Sequence, residues 1–357
     1  MLLSVLITTD RLVGFQGGGV HRTVRGASWS HVIIATRSEK TIERGASFIM
    51  LTILRATRCV VRLLIVSCLV MTSFVRAAYA GPGETPPLTL KVITVSESSL
   101  WANCTLVMGK TDAVLIDVPF TRSDAHRVVA DILETGKTLK YVYITHDHPD
   151  HFMSLEVLAD AFPDARLISA PAVVADLWRS LPIKIKRWGP MLGANGPRRP
   201  VVPVAWEQPS FQLEGQELQI LGPMQGDHAH ATAIYVPSIK ALIAGDIVFE
   251  DVHPWLGEHT PQQRKAWLQT LDQMSALQPG IVVAGHQLPG EPQSPAALQF
   301  TRDYIVTFDK AAATAKTSQQ LASIMQSRFP KAHDVLGGFI LGNSAKVGVG
   351  EEPPWDE

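Results

Sequence analysis

Six consecutive residues, His146-Asp147-His148-Pro149-Asp150-His151, place three histidines and two aspartates directly after an apolar run at 139–145. The run carries Tyr141, Val142, Tyr143 and Ile144 in succession, the pattern of a strand buried on both faces. Titratable groups brought to the end of a buried strand need partners, because unpaired buried charge is costly. Imidazole nitrogen and carboxylate oxygen together suit zinc, iron or manganese. His146 and His148, two residues apart, point the same way in extended backbone, and Asp150 and His151 then fall where a second ion would sit. The alternative, a run of exposed polar residues on a loop, fits poorly with so tight a cluster at a strand end.

Around this cluster the periodicity alternates between strands and helices. Strands are expected at 90–95, 104–108, 113–117 and 139–145, with helices at 123–134, 155–161 and 172–181 and a strand at 166–169. Residues 189–210, with five prolines, read as a loop. Strands follow at 211–213, 218–221, 233–236, 241–244 and 281–284, with helices at 261–276 and about 295–325. Two batches of strands, each with helices, indicate an α/β fold, either two sheets with helices outside or one mixed sandwich.

The N-terminal 80 residues have a different character. They hold 10 Lys/Arg against 3 Asp/Glu, whereas residues 81–357 hold 22 against 30. Arg55, Arg58 and Arg62 precede the uncharged run 63–75, and Ala78-Tyr79-Ala80 follows as a small-residue cleavage site. Residues 50–80 therefore read as a signal peptide initiated at Met50, which implies a periplasmic or secreted protein. The apolar run is too short for a comfortable span, so no stable membrane insertion is expected after cleavage. An uncleaved anchor is the alternative, and Ile65-Val66-Ser67-Cys68 offers only a weak lipoprotein reading. Residues 1–49 lack sustained periodicity and read as a non-native extension. The mature chain keeps one cysteine, Cys104, which excludes an intramolecular disulfide and a cysteine-rich metal site. Its acidic balance lacks the broad electrostatic footprint of a nucleic-acid binder, so a small-molecule substrate is the expected partner.

Three ordered elements carry a family resemblance: His146-x-His148-x-Asp150-His151, then Ala244-Gly245-Asp246, then Ala284-Gly285-His286, each after an apolar strand. Across about residues 90–290 the chain resembles the metallo-β-lactamase superfamily. The resemblance implies an αββα sandwich with the metal site at the sheet edge. It implies a catalytic domain over 81–290, completed by a C-terminal helical segment, 291–357. His146 and His148 would hold a first metal, Asp150, His151 and His286 a second, and Asp246 would bridge them. Zinc is expected at two per chain, with iron or manganese as alternatives. The implied reaction is attack of metal-bound hydroxide on an ester, lactone, thioester or amide, with Asp150 as the catalytic residue that orients the nucleophile.

One family position departs from the pattern. Counted back from Thr232, the third histidine of the first metal falls at Gln225 or Gly226. His228, close by in Gly226-Asp227-His228-Ala229-His230, and Gln225 itself are the candidates for that ligand, with His230 and His253 behind them. His253 and Trp255 would line the pocket for an acyl or aromatic group, or simply pack. Trp178 and Trp188, near Lys184 and Lys186, would form either a lid or core and solvated edge. A mononuclear iron persulfide dioxygenase and a non-catalytic binder with a decayed site are the competing functions. A true β-lactamase is less favoured, because the subclass sharing His151 usually lacks an aspartate at the Asp246 position.

Overall fold

The computed structural model describes residues 86–355. The expected extension (1–49) and signal peptide (50–80) lie outside the described residues. Three runs rich in apolar and β-branched residues form the strands β1 (Thr89–Thr94), β2 (Asn103–Met108) and β3 (Asp112–Ile116), an antiparallel meander. Helix α1 (Arg122–Glu134), whose Thr121 side chain caps the Asp124 N–H, carries the chain across to β4 (Thr138–Ile144). β4 pairs in parallel with β3, and β5 (Arg166–Ser169) and β6 (Val204–Ala205) extend the sheet in the same sense. The order is β1-β2-β3-β4-β5-β6. Between β4 and β6 lie helices α2 (Pro149–Phe152), α3 (Leu155–Ala161) and α4 (Pro171–Leu192).

A second sheet takes the order β12-β10-β9-β8-β7, from β7 (Ser210–Leu213), β8 (Gln216–Met224), β9 (Ala231–Val236), β10 (Ala241–Ile243) and β12 (Ile281–Val283). β11 (Phe249–Glu250) and β13 (His286–Gln287) form a short parallel pair beside it. The outer helices are α5 (Pro261–Ala276), α6 (Ala296–Ala312), α7 (Ser318–Arg328) and α8 (Phe339–Val349). Among the described residues no helix is long and apolar enough to cross a membrane.

Burial follows the period of two. In β2, Cys104 and Leu106 face the helices α1, α3 and α4, while Val107 faces the other sheet. The space between the sheets is filled by residues such as Ile116, Tyr143, Phe211, Ile234 and Ile243. The outer face of the second sheet packs on Trp267, Ile305, Leu321 and Leu341 of α5 to α8. The layers therefore run helix, sheet, sheet, helix, the αββα sandwich that the resemblance implied.

Two segments differ from the sequence reading. Helix α4 continues past residue 181, through Pro182, to Leu192. A proline inside a helix costs about 3 kcal/mol. Here Ser180 and Lys184, on either side of it, both donate to the buried Asp147 carboxylate, at 2.7 and 2.8 Å, and hold the helix on course. The helix expected over about 295–325 is broken into α6 and α7, and within the expected C-terminal helical segment α8 packs Leu341 and Ala345 into the core of the second sheet.

Candidate metal centre

Parallel pairing sets the C-terminal ends of β3 and β4 side by side, and likewise those of β10 and β12. The segments leaving these four ends carry Asp117, His146 to His151, Asp246 and His286. The two sheets are tied at this edge by Thr232 of β9, whose N–H and hydroxyl both donate to Thr145 O, at 3.0 and 2.6 Å. Two glycines permit the approach. A Cβ on Gly245, which has φ +50°, would lie 2.7 Å from Thr145 Oγ1, and one on Gly285 would overlap Asp246 Oδ1. The Gly-Asp and Gly-His pairs of the sequence thus have a steric cause.

Each histidine is held by one ring nitrogen, which leaves the other turned inward. His146 Nδ1 meets Thr145 Oγ1 at 2.9 Å, and His151 Nδ1 meets Asp117 Oδ2 at 3.0 Å. His286 Nδ1 donates to Leu100 O at 2.7 Å, and His148 uses Nε2 toward Glu258 Oε1 at 3.3 Å. Such outer partners set the tautomer and orientation of metal-binding imidazoles. Asp117 itself sits at φ +61°, a left-handed conformation costly for a non-glycine residue, while gripping both Thr145 and His151.

The inward atoms form two groups: His146, His148, Asp227 and Asp246 in one, and Asp150, His151 and His286 in the other. Within each, the potential ligand atoms lie within 4.8 Å of one another. Asp246 spans the groups, with Oδ1 3.0 Å from His151 Nε2 and Oδ2 3.7 Å from His146 Nε2 and 3.1 Å from His286 Nε2. Asp150 Oδ2 lies 3.2 Å from His286 Nε2.

The electrostatics are those of a site short of positive charge. Burial, reinforced by the neighbouring His151, drives His146 well below its usual range. For His148 burial is outweighed by Asp227 and Glu258, and for His151 by Asp246 and Asp117, so both rise well above it. His286 is likewise lifted to about 10 against its burial, chiefly by Asp246. Of the paired carboxylates, burial and Asp246 push Asp227 up, whereas His151 and His286 overcome burial to hold Asp246 down. His146 Nε2, both Asp227 oxygens and Asp246 Oδ1 are buried with no hydrogen-bond partner, although Asp227 Oδ2 lies only 2.9 Å from His148 Nδ1. Donor atoms that crowd together without hydrogen bonding have lone pairs aimed at a common point. Buried charge left in this state costs several kcal/mol per ion. A divalent cation among His146, His148, Asp227 and Asp246 relieves it, and the mixed nitrogen and oxygen donors of both groups fit such ions. The residues therefore fit a metal pair.

The third ligand position needs correction. Neither Gln225 nor His228 joins the groups; the residue between them and beside Gly226, Asp227, does. The Asp227 N–H donates to Asp246 O at 3.0 Å, which turns its side chain into the centre and its neighbours away. Gln225 Nε2 donates to Gly226 O at 3.0 Å and meets His259 at 3.2 Å. His228 Nε2 faces Asp147 Oδ1 at 3.1 Å, and His230 faces Asp176 at 2.6 Å. Asp227, the one acid in that turn, was not among the candidates that the sequence offered. Glu258 was missed as well; its only signal was an acidic residue three positions after Trp255.

Above the centre opens a cleft with a largely apolar wall. His148, Asp150, Asp227, Asp246, Glu258 and His286 reach its floor, and His253 and Trp255 stand on its wall. His253 Nδ1 meets Tyr304 OH at 2.8 Å, and burial pulls its pKa down to about 4, so the ring is neutral. Trp188 also lines the cavity, whereas Trp178 is exposed and Lys184 is buried against Asp147 rather than solvated.

Residues 102–286 match the model of the metallo-beta-lactamase superfamily, over more than half of the chain. The chain belongs to that superfamily. Solved structures of the same fold include a metallo-beta-lactamase family protein from Thermus thermophilus. It has a TM-score of 0.53 and 20% identity, covering 73% of this chain and 93% of that one. A stereoselective inverting sec-alkylsulfatase from Pseudomonas sp. has a TM-score of 0.51 and 16% identity, covering 76% of this chain and 50% of that one. Among curated proteins, the uncharacterized protein YobT of Bacillus subtilis (strain 168) is 35% identical over 66 residues, 18% of this chain. The match spans 28% of that relative's length.

Proposed function

We propose that the chain is a hydrolase with a binuclear centre, in which His146, His148 and Asp227 hold one divalent ion and Asp150, His151 and His286 hold the other. Asp246 lies between the two and would serve both. The observation that carries this reading is the convergence of two buried groups of donor atoms at the floor of an open cleft, with His146 Nε2, both Asp227 oxygens and Asp246 Oδ1 unpartnered. Superfamily members are generally hydrolases, which supports it. Zinc is the expected ion, with manganese or iron as alternatives.

When bound, the ions would supply Lewis acidity toward water and toward the substrate carbonyl. The chain's own residues do the rest. Asp150 stays ionised, because the hydrogen bond from His286 and the charge of His151 outweigh its burial. It accepts a hydrogen bond from the attacking water and orients it. Glu258, held down to about 2 against burial by His148, keeps that imidazole fixed. The apolar wall keeps bulk water from competing at the reacting carbon.

Metal analysis of the purified chain, paired with assays on ester, lactone, thioester and amide substrates before and after chelation, tests the proposal. Two equivalents of metal and chelator-sensitive hydrolysis are expected. A chain that binds no divalent ion and hydrolyses none of the four classes would sink it. Export remains a proposal that rests on residues 50–80 alone, and N-terminal sequencing from the native host should begin at Gly81.

A further inference from the structure

Part of the cavity wall is built by chain that the superfamily match does not reach. Leu336, Phe339, Ile340 and Trp355, all beyond residue 286, line it together with Trp188 and Trp255. Trp255 stacks on Phe339 at 5.5 Å and meets Trp355 edge-on at 5.4 Å, and Trp188 meets Phe339 edge-on at 6.5 Å. The box is braced by two further contacts. The Trp355 N–H donates to Gly257 O at 2.9 Å, and the Arg187 guanidinium lies 4.2 Å over the Trp355 ring.

The charges around it are one-sided. The lining includes Asp150, Asp227, Asp246 and Glu258 but no lysine or arginine. Two divalent ions would cancel four carboxylates and leave no surplus to draw an anion. An anionic substrate would also forfeit its hydration against aromatic rings, with no lysine or arginine among the lining residues to replace it. A neutral substrate has only its carbonyl to desolvate, and each methylene seated in the box improves binding by about fourfold, the equivalent of ~0.8 kcal/mol.

We infer that this site takes an uncharged carboxylic ester, open-chain or lactone, whose apolar chain lies in the box of Trp255, Phe339 and Trp355. This rests on the hydrolase reading above. In the reaction the acyl C–O bond breaks as the water oxygen bonds to the acyl carbon. One water proton goes to the departing alkoxide and the other to solvent as the acid ionises. The carboxylate product is then a poor ligand for the same box, which favours its release.

The test uses the full chain. With metal present, kcat/KM is measured on p-nitrophenyl acetate, butyrate, hexanoate and octanoate, and on p-nitrophenyl sulfate and benzylpenicillin as anionic competitors. Calorimetric titration of 2-decanone and of sodium decanoate, with and without chelator, reads binding independently of turnover. The expected result is a rise of about fourfold per methylene until the box is filled. The ketone should bind at least tenfold more tightly than decanoate in the chelated chain. Phe339→Ala and Trp355→Ala should each lower the octanoate-to-acetate ratio at least fivefold, and Phe339→Arg should favour decanoate. A flat chain-length series, or preference for either anionic substrate, overturns the inference while leaving hydrolysis intact. Ketone binding without turnover of any ester supports the ligand class and overturns the hydrolase reading instead. Absence of both ketone binding and chain-length dependence overturns the ligand class outright.

Discussion

One half of the centre, His146, His148 and Asp227, is slung between the end of β4 and the turn that precedes β9. The other, Asp150, His151 and His286, sits between α2 and β13. Their own donors are the same, two imidazoles and one aspartate each, with Asp246 shared. Their supports differ. His151 is gripped by Asp117 at the end of β3, and His286 by the main-chain oxygen of Leu100. His148 leans instead on Glu258, whose side chain is 15% exposed and stands on the connection between β11 and α5. The second half is thus fixed by strand ends and backbone, and the first partly by loops. Outer partners of this kind tune metal affinity by roughly 10–100-fold. The first half should be the one that exchanges its ion, and stepwise chelation should remove one equivalent well before the other.

The largest effect is expected at the residue the halves share. Asp246→Ala removes a carboxylate from both, so both equivalents should weaken and turnover should fall by roughly a thousandfold or more. Retention of two tightly held ions with activity within tenfold of the parent would break the two-metal reading.

Asp227→Ala should be next, with loss of one equivalent and a large fall in kcat, while the second half keeps its ion. Asp227→His separates a ligand role from a purely structural one. It replaces a hard oxygen with imidazole, so it should keep two equivalents yet shift competition at the weaker site from manganese toward zinc. A variant that loses the ion despite the new donor, or shows no shift in competition, argues that Asp227 only shapes the turn.

This contrast also marks how far the sequence could be read. The second half was legible because Asp150-His151 and Gly285-His286 follow apolar strands and, in that order, match the motifs of the family the chain resembles. Periodicity gave most of the strands and helices, from runs such as 139–145, but the four-layer order came only from the family resemblance. Asp227 was not legible, because its direction depends on a hydrogen bond from its own N–H to Asp246 O, a contact between distant segments that no local pattern encodes. Glu258 and Asp117 act through histidines far away in the chain, and their roles appear only once β3, β4 and the β11–α5 connection are brought together. The course of α4 through Pro182 was hidden likewise, since the Asp147 anchors that hold it lie outside the helix.

Smaller effects should separate the supports themselves. Glu258→Gln keeps a hydrogen-bond acceptor for His148 but removes the charge, and Asp117→Asn does the same for His151. Each should weaken one ion by about 10–100-fold, and they should act on different equivalents in a stepwise zinc titration. Both variants weakening the same equivalent would mean that the two halves are not independent in their supports.

The smallest effect on metal should come from His228→Ala, the substitution that a histidine-first reading would rank among the most damaging. His228 is buried, and its ring centroid lies only 5.6 Å from that of His148, so distance alone does not exempt it. Its hydrogen bonding does. Nδ1 accepts from the His230 N–H at 3.2 Å, which places the ring proton on Nε2, toward Asp147 Oδ1 at 3.1 Å. Neither nitrogen is then a free donor to an ion. Burial, only partly opposed by Asp147, also lowers the pKa of the ring and favours its neutral form. Asp147 keeps Ser180 and Lys184 as partners when His228 is removed, and its Oδ1 makes no well-aligned hydrogen bond to begin with. The expected cost is therefore about 1 kcal/mol of stability, with a melting temperature lower by roughly 2–4 °C. Zinc stoichiometry should stay at two and affinity within about threefold. Loss of an equivalent in His228→Ala, with Asp227→Ala unaffected, would reverse the assignment of the first half.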